Sequence, residues 1–352
     1  MCGIFGHTGF DPRRLDHSRA ALQTLAHRGP DQWGDWHDGD VYLGHRRLSI
    51  LDLSEAGRQP MHAAGDEVLL TANGEVYNFA PLRARLEPDH VFTSGSDSEV
   101  LLHGYRAWGI EGLVERIEGM YAFAIYDRMR RKVFLVRDRV GIKPLYYSLL
   151  GGRVAWASEL KALQFLHQDE ALSIDWTAVY DYLTYSYVPA PKSMYAGIFK
   201  LPPAHVAEID VATGALRAYR YWSLSTNETH LSVLAAASRL RALVREAVGQ
   251  QMVSDVPVGF FLSGGMDSSA VVAEAASAGH AATTFSIGFD DPSHDETGFA
   301  ALVAESFGTE HIRQVLSARA TTELFPLLRE WFDEPFADTS AFPTRLVSCV
   351  AR

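Results

Sequence analysis

Cysteine is nearly absent: Cys2 and Cys349 are the only two in 352 residues. Two thiols so far apart cannot staple a small fold, which excludes a disulfide scaffold and makes the cytoplasm the default compartment. Long apolar runs are missing as well. No stretch approaches the roughly 20 residues that span a bilayer, and no charged-then-apolar leader opens the chain, so no membrane association is expected. Basic residues are outnumbered, 32 against 43 acidic, for a net charge of −11. That balance argues against nucleic acid as a partner and against an anionic membrane surface, while leaving room for a local anion pocket. What is present is 47% apolar and 21% charged residues, ample for a buried core. At this length two ordinary domains are favoured over one very large one.

The chemistry begins at Met1-Cys2-Gly3-Ile4. A Cys directly after the initiator becomes an N-terminal thiol once the methionine is removed. Such a residue carries nucleophile and base together, because its own α-amine, with an unperturbed pKa of about 7.7–8.0, can take and return the proton. The following Ile4-Phe5-Gly6 reads as a short buried strand, and a helix is expected around Ser18 to Ala26. His27-Arg28-Gly29-Pro30-Asp31 carries a Gly-Pro turn signal and reads as a loop.

Leu43 to Leu51 reads as a strand holding two adjacent arginines, Arg46 and Arg47. Neighbours on a strand face opposite ways, so one arginine is solvated and the other points inward, where it needs a carboxylate from the protein or a ligand. Asn73-Gly74 follows the apolar run Val68-Leu69-Leu70. It is a strong hairpin signal, yet an Asn amide and a Gly N–H can equally point together at a developing oxyanion. Ser96 and Glu99 fit a capping box ahead of Leu101, Tyr105 and Trp108 on one helical face, and the helix dipole accounts for Asp97 at the start. From Gly119 to Ala157 the pattern is antiparallel β-structure, with turns at Asp127-Arg128 and Gly151-Gly152. Ser158 to Gln164 reads as a helix, and four prolines between 189 and 203 break the next stretch into loops and short edge strands.

The segments MCGIFG, HRGPD, HRRLSILD, NGEVYN and SGSDSE, in this order, resemble the class II glutamine amidotransferase domain of the N-terminal-nucleophile (Ntn) hydrolases. The resemblance implies an αββα sandwich of antiparallel sheets over residues 1–225. It implies that the Cys2 thiol attacks the glutamine carboxamide and frees ammonia, with Asn73 and the Gly74 N–H as oxyanion hole. It further implies that Arg47 takes the glutamine α-carboxylate beside Leu48, Ser49, Ile50 and Leu51, and that Glu75 and Asp97 take the α-ammonium.

The pattern changes after Trp222. A helix containing Leu231 to Val244 precedes a buried strand, Val256 to Leu262, and then Ser263-Gly264-Gly265-Met266-Asp267-Ser268-Ser269 opens into an alanine-rich helix. Strand, glycine-rich turn and helix make a phosphate cradle, since backbone N–H groups and the helix dipole both favour an anion. No lysine follows the glycines, so this is not a Walker A loop. Strands at Thr284–Phe289 and His311–Leu316, with a helix between, predict a parallel sheet. Asp333-Glu334-Pro335 reads as a solvated turn.

This loop resembles the pyrophosphate motif of adenylating ligases, and together with the first half it resembles glutamine-hydrolysing asparagine synthetases. The resemblance implies a carbon–nitrogen ligase of amino-acid biosynthesis using glutamine, aspartate and ATP. Leu262 and Ile287 would border the adenine, and Ser263, Gly264, Gly265, Asp267, Ser268 and Ser269 would hold the pyrophosphate, with Asp267 as a magnesium ligand. Ammonia would attack β-aspartyl-AMP. Residues 226–352 are expected to be the first part of an α/β parallel-sheet domain that reads as truncated, lacking a second acidic loop. A related amidotransferase with another carboxylate acceptor, a chain with glutaminase activity only, a partner-binding remnant and a homodimer all stay open.

Overall fold

The computed structural model describes residues 1–63, 65–227, 230–280, 282–293 and 295–352. The apolar opening run forms β1 (Gly3–Thr8), buried along its whole length. It pairs antiparallel with β3 (Val41–Arg47) on one side and β9 (Arg153–Ala157) on the other. With β2 (Gln32–His37), β8 (Tyr146–Leu150) and β10 (Ile198–Lys200) these strands make a six-stranded sheet in the order β10-β8-β9-β1-β3-β2. A second six-stranded sheet runs β12-β11-β7-β6-β5-β4. Its strands are β4 (Met61–Ala63), β5 (Val68–Val76), β6 (Gly119–Asp127), β7 (Lys132–Arg137), β11 (His205–Asp210) and β12 (Leu216–Arg220), again all antiparallel.

Strand alternation explains the layering. Along β6, Ala122, Ala124 and Tyr126 face Ile4, Val41 and Leu43 of the first sheet, whereas Tyr121, Phe123 and Ile125 face outward. The outward face is covered by α2 (Phe79–Leu86) and α3 (Glu99–Arg116), which breaks at Gly109. On the far side α1 (Leu15–Gln23) and α4 (Leu160–Leu166) cover the first sheet through Leu22, Leu25, Leu160 and Leu163. The result is the αββα sandwich.

The later strands β13 (Gly259–Phe261), β14 (Thr283–Phe289) and β15 (Glu310–Leu316) form a parallel sheet in that order. The chain also forms α5 (Trp176–Tyr185), which the sequence pattern did not signal, then α6 (Val233–Gln251), α7 (Met266–Ser277) and α8 (Thr297–Phe307). Val248, Phe260, Leu262, Val272 and Ala300 make a separate small core. Contacts divide the chain into Met1–Ser225 with Asp333–Phe336, and Thr226–Phe332 with Ala337–Arg352.

Four local expectations are corrected. The strand expected to run to Leu51 stops at Arg47, because the Arg47 guanidinium collects the carbonyls of Leu51, Asp52 and Ser54 and curls the chain back. Asn73-Gly74 is no turn but lies inside β5, paired with Ala122 and Tyr121. Glu99 does not complete a capping box with Ser96; its carboxylate accepts the N–H groups of Thr93 and Ser94, each at 2.8 Å. Asp333 and Glu334 are not solvated. Within the first unit, Asp333 accepts the Lys161 N–H at 2.8 Å and Glu334 accepts that of Met194 at 2.7 Å.

Candidate active site

Cys2 sits at the inner end of β1, where the strand's two ladders fix its direction. Ser158 Oγ accepts the Ile4 N–H at 2.9 Å, and Arg28 Nε donates to the Cys2 carbonyl at 2.8 Å. Arg28 is itself buried and held by Glu159 at 2.7 Å, so the start of the chain is anchored from both sides. The Leu48 N–H approaches Cys2 Sγ at 3.4 Å, and the Leu48 carbonyl lies 3.6 Å away. Burial pushes the thiol's pKa up and pulls the α-amine of Met1 down to about 6.

A cavity of about 180 Å³ opens in front of the thiol. Cys2, Arg47, Leu48, Ile50, Leu51, Asn73, Gly74, Glu75 and Asp97 all line it; Ser49 does not, its N–H being given to Asp31 at 2.8 Å. Both amide atoms of Asn73 are buried with no hydrogen-bond partner among the described residues. A buried amide in that condition is costly unless a ligand completes it. Gly74 is dictated by close approach: a Cβ there would lie 2.1 Å from the Met120 carbonyl oxygen.

Arg46 and Arg47 face opposite ways, as the strand requires. Arg46 lies outside over Trp33, whereas Arg47 is buried. Among the described residues the inward arginine has not found a carboxylate: Nη1 donates to Gln32 and the Ser54 carbonyl, Nη2 to the carbonyls of Leu51 and Asp52, and Nε makes no hydrogen bond there. Across the cavity the half-buried Glu75 and the buried Asp97 form an acidic pair. Asp97 reaches back to accept the Val76 N–H at 2.6 Å. Burial raises both carboxyls; Asp97 raises Glu75 further, while Lys143 and the α-amine oppose this. Two crowded carboxyls beside an orphaned amide and a thiol make a site shaped for a small cationic, amide-bearing ligand.

The motif reading missed several lining residues, among them Gln59, Ser96, Ser98, Met120 and Lys143. Lys143 had a signal, being a lone charge in Val140-Gly141-Ile142-Lys143-Pro144-Leu145. Arg28 lay in a quoted motif but was read only as part of a loop.

In the second unit a cavity of about 320 Å³ is lined by Leu262, Ser263, Ser268 and Ile287, together with Phe285 and Val347. Gly264, Gly265, Asp267 and Ser269 belong to the same loop but do not line it. Gly264 takes φ +80°, and a Cβ there would meet the Ala300 nitrogen at 2.5 Å. Ser268 Oγ accepts the Ser263 N–H at 3.3 Å, curling the loop over the start of α7. Among the described residues no side chain caps that helix, and Ser269 Oγ is buried without a partner. Uncapped N–H groups and an orphaned hydroxyl fit an anion. Asp267 is exposed on the first turn, and among the described residues no three His, Cys, Asp or Glu side chains group as a metal site.

The family model for a glutamine amidotransferase domain matches residues 1–222, and that for asparagine synthase matches residues 239–352. A putative glutamine-hydrolysing asparagine synthetase 2 of Methanocaldococcus jannaschii is 35% identical across the whole of this chain, which spans 72% of it. Glutamine-hydrolysing asparagine synthetase 1 of Bacillus subtilis is 34% identical, again over the whole chain and 56% of that relative. A putative enzyme of the same name from Mycobacterium tuberculosis is 36% identical over the whole chain and 57% of its own length. The chain thus spans little more than half the length of two of these three relatives. Among solved structures, glutamine phosphoribosylpyrophosphate amidotransferase of B. subtilis aligns with 89% of this chain and 65% of its own, at 17% identity and a TM-score of 0.49. No helix among the described residues is long and apolar enough to cross a membrane. With both models matched and this identity running end to end, the chain belongs to the glutamine-hydrolysing asparagine synthetase family.

Proposed function

We propose that the first unit hydrolyses glutamine at Cys2 and that the second contributes to activating a carboxylate, aspartate first among candidates, which the released ammonia converts to the amide. The observation that carries the reading is Asn73: an amide with both polar atoms unpaired among the described residues, in the same cavity as the Cys2 thiol and the Glu75–Asp97 acidic pair.

Removal of Met1 leaves the thiol and α-amine on one residue. The amine takes the thiol proton as sulfur attacks the glutamine carboxamide carbon. The oxygen that becomes negative is met by Asn73 Nδ2 and the Gly74 N–H. The amine returns its proton to the departing nitrogen, which leaves as ammonia. Water then attacks the thioester, giving glutamate and restoring the thiol. Glu75 and Asp97 hold the substrate α-ammonium. Arg47 faces the α-carboxylate with its positive charge and one N–H rather than a two-pronged grip, since its other donors already hold the 51–54 segment.

In the second unit, ATP would place its adenine between Leu262 and Ile287 and its pyrophosphate at the 263–269 loop. ATP supplies the adenylyl group that makes a carboxylate reactive toward ammonia. Magnesium would travel largely on the phosphates, with Asp267 as a protein carboxylate to hold it. The protein works in the cytoplasm; whether as a monomer or a homodimer is read from its mass in solution.

The test is glutamate release by the protein and by Cys2→Ala, with mass spectrometry to show that the active fraction lacks Met1. Wild-type glutamate release by Cys2→Ala would overturn the nucleophile assignment. Pyrophosphate exchange into ATP in the presence of aspartate, against other small carboxylic acids, identifies the acceptor.

A further inference from the structure

Asn73 and Gly74, the proposed oxyanion donors, lie on a strand edge that β4 leaves bare. β6 pairs with β5 along its whole length, from Val68 to Val76, whereas β4 covers the opposite edge only from Val68 to Leu70. The register with β6 is unbroken, so successive N–H groups alternate between the two edges. Tyr77 gives its N–H to the Glu118 carbonyl on the β6 side at 2.8 Å, which sets the parity. The N–H groups of Ala72, Gly74 and Val76 therefore leave on the bare side. The first is taken by the buried Gln59, whose Oε1 accepts it at 2.6 Å, and the third by Asp97, also at 2.6 Å. The middle one, from Gly74, makes no hydrogen bond among the described residues.

Ala72 is held a second time, because its carbonyl accepts from His45 Nε2 at 2.9 Å. His45 is fully buried on β3, opposite Ile4 of β1, so this bond crosses from the sheet that begins at Cys2 to the sheet that carries Asn73. A carbonyl only accepts, so Nε2 carries the ring proton. Burial holds the ring's pKa down to about 4, which keeps it neutral. Asn73 itself has both amide atoms unpaired among the described residues. A side chain with no bond of its own takes its place from the backbone that carries it.

We propose that Gln59 and His45 are positioning residues of the oxyanion hole: by gripping the N–H and C=O of Ala72 they fix the Asn73-Gly74 segment relative to Cys2 and leave the Gly74 N–H open between two capped ones. This rests on the glutaminase reading above. A donor lowers the barrier only if it is aimed before charge develops, and a drift of about 1 Å can cost about a hundredfold in rate. Without these two side chains the segment is held from the β6 side alone and is free to twist away from the thiol.

The experiment measures glutamate release from glutamine by the wild type, Gln59→Met, His45→Leu and His45→Gln, and by each of them combined with Asn73→Ala. Gln59→Met and His45→Leu are expected to lower kcat by about 10–100-fold while KM stays within about twofold. His45→Gln, which restores an N–H at about the same reach, should recover most of the loss. In the Asn73→Ala background the same substitutions should cost much less, because the donor they aim is already gone. An equal loss of kcat in both backgrounds would overturn the proposal in favour of a purely structural role. Unchanged kcat would overturn it too, as would a raised KM at constant kcat, which would make Gln59 part of the substrate's seat. If Gln59→Met does not fold, the His45 pair carries the comparison, and if His45→Leu does not, Gln59→Met carries it. A wild type that does not hydrolyse glutamine refutes the glutaminase reading instead.

Discussion

Arg28 Nε donates to the carbonyl oxygen of Cys2 at 2.8 Å, while the same guanidinium meets Glu159 at 2.7 Å. A residue from the loop after α1 and one from the turn after β9 therefore share the task of holding Cys2 at the end of its strand.

Glu159→Gln leaves a buried arginine without its counter-charge and should cost about 3–5 kcal/mol at pH 7. Burial works against the ionised Glu159, but its hydrogen bonds with His27 and Arg28 win and hold its pKa down to about 2. A carboxyl depressed in the folded state stabilises fully above its unfolded value near 4.3 and loses that contribution as pH falls toward the folded one. Urea unfolding of both proteins should therefore show a difference that is level above about pH 5 and shrinks steadily below it. A difference independent of pH would mean that packing, not charge, is what Glu159 supplies.

Asn73→Ala should lower kcat for glutamine by about 10²–10³ with little change in KM, the signature of a donor used in the transition state. Because the amide is unpaired among the described residues, its loss should leave the melting temperature unchanged or slightly raised. A marked fall in stability would show that Asn73 is a structural residue whose partner forms elsewhere.

Gly74→Ala places a methyl group 2.1 Å from the Met120 carbonyl, against backbone that cannot step aside without parting β5 from β6. Overpacking of this kind costs about 1–3 kcal/mol, and a shift of the strand carries Asn73 with it. Thermal melting and kcat should fall together.

Gly264→Ala should abolish nucleotide binding, measured by calorimetry with ATP, and leave glutamate release intact. The residue's φ of +80° and the Ala300 nitrogen at 2.5 Å both oppose a side chain there. Loss of glutamate release in this variant would show that the 263–269 loop serves the glutaminase as well.

Much of the architecture could be read from local pattern. β1 is a short apolar run, β6 and β7 are aromatic and β-branched, and the turn at Gly151-Gly152 separates β8 from β9 where expected. The loop from Ser263 to Ser269 announces itself because strand, glycines and helix are contiguous, so its chemistry is written in adjacent residues. The cavity at Cys2 is legible only as motifs, since its residues come from 1 to 143 and no local signal says that they meet.

What the tertiary structure decided is the meaning of residues whose local preference points the other way. Asn73-Gly74 prefers a hairpin turn, but pairing with Ala122 and Tyr121 holds it in a strand and sets Asn73 in the lining of the cavity that Cys2 also lines. Arg47 demands a carboxylate by its charge, yet folding offers it carbonyls at closer range and spends it on shaping the 51–54 segment. Asp333 and Glu334 look like a solvated turn until lysines 161 and 200 meet them. In each case the sequence determined the chemical capacity of the side chain. Which partner it meets depends on distances between residues tens to hundreds of positions apart, and those are set only when the sheets, helices and loops pack together.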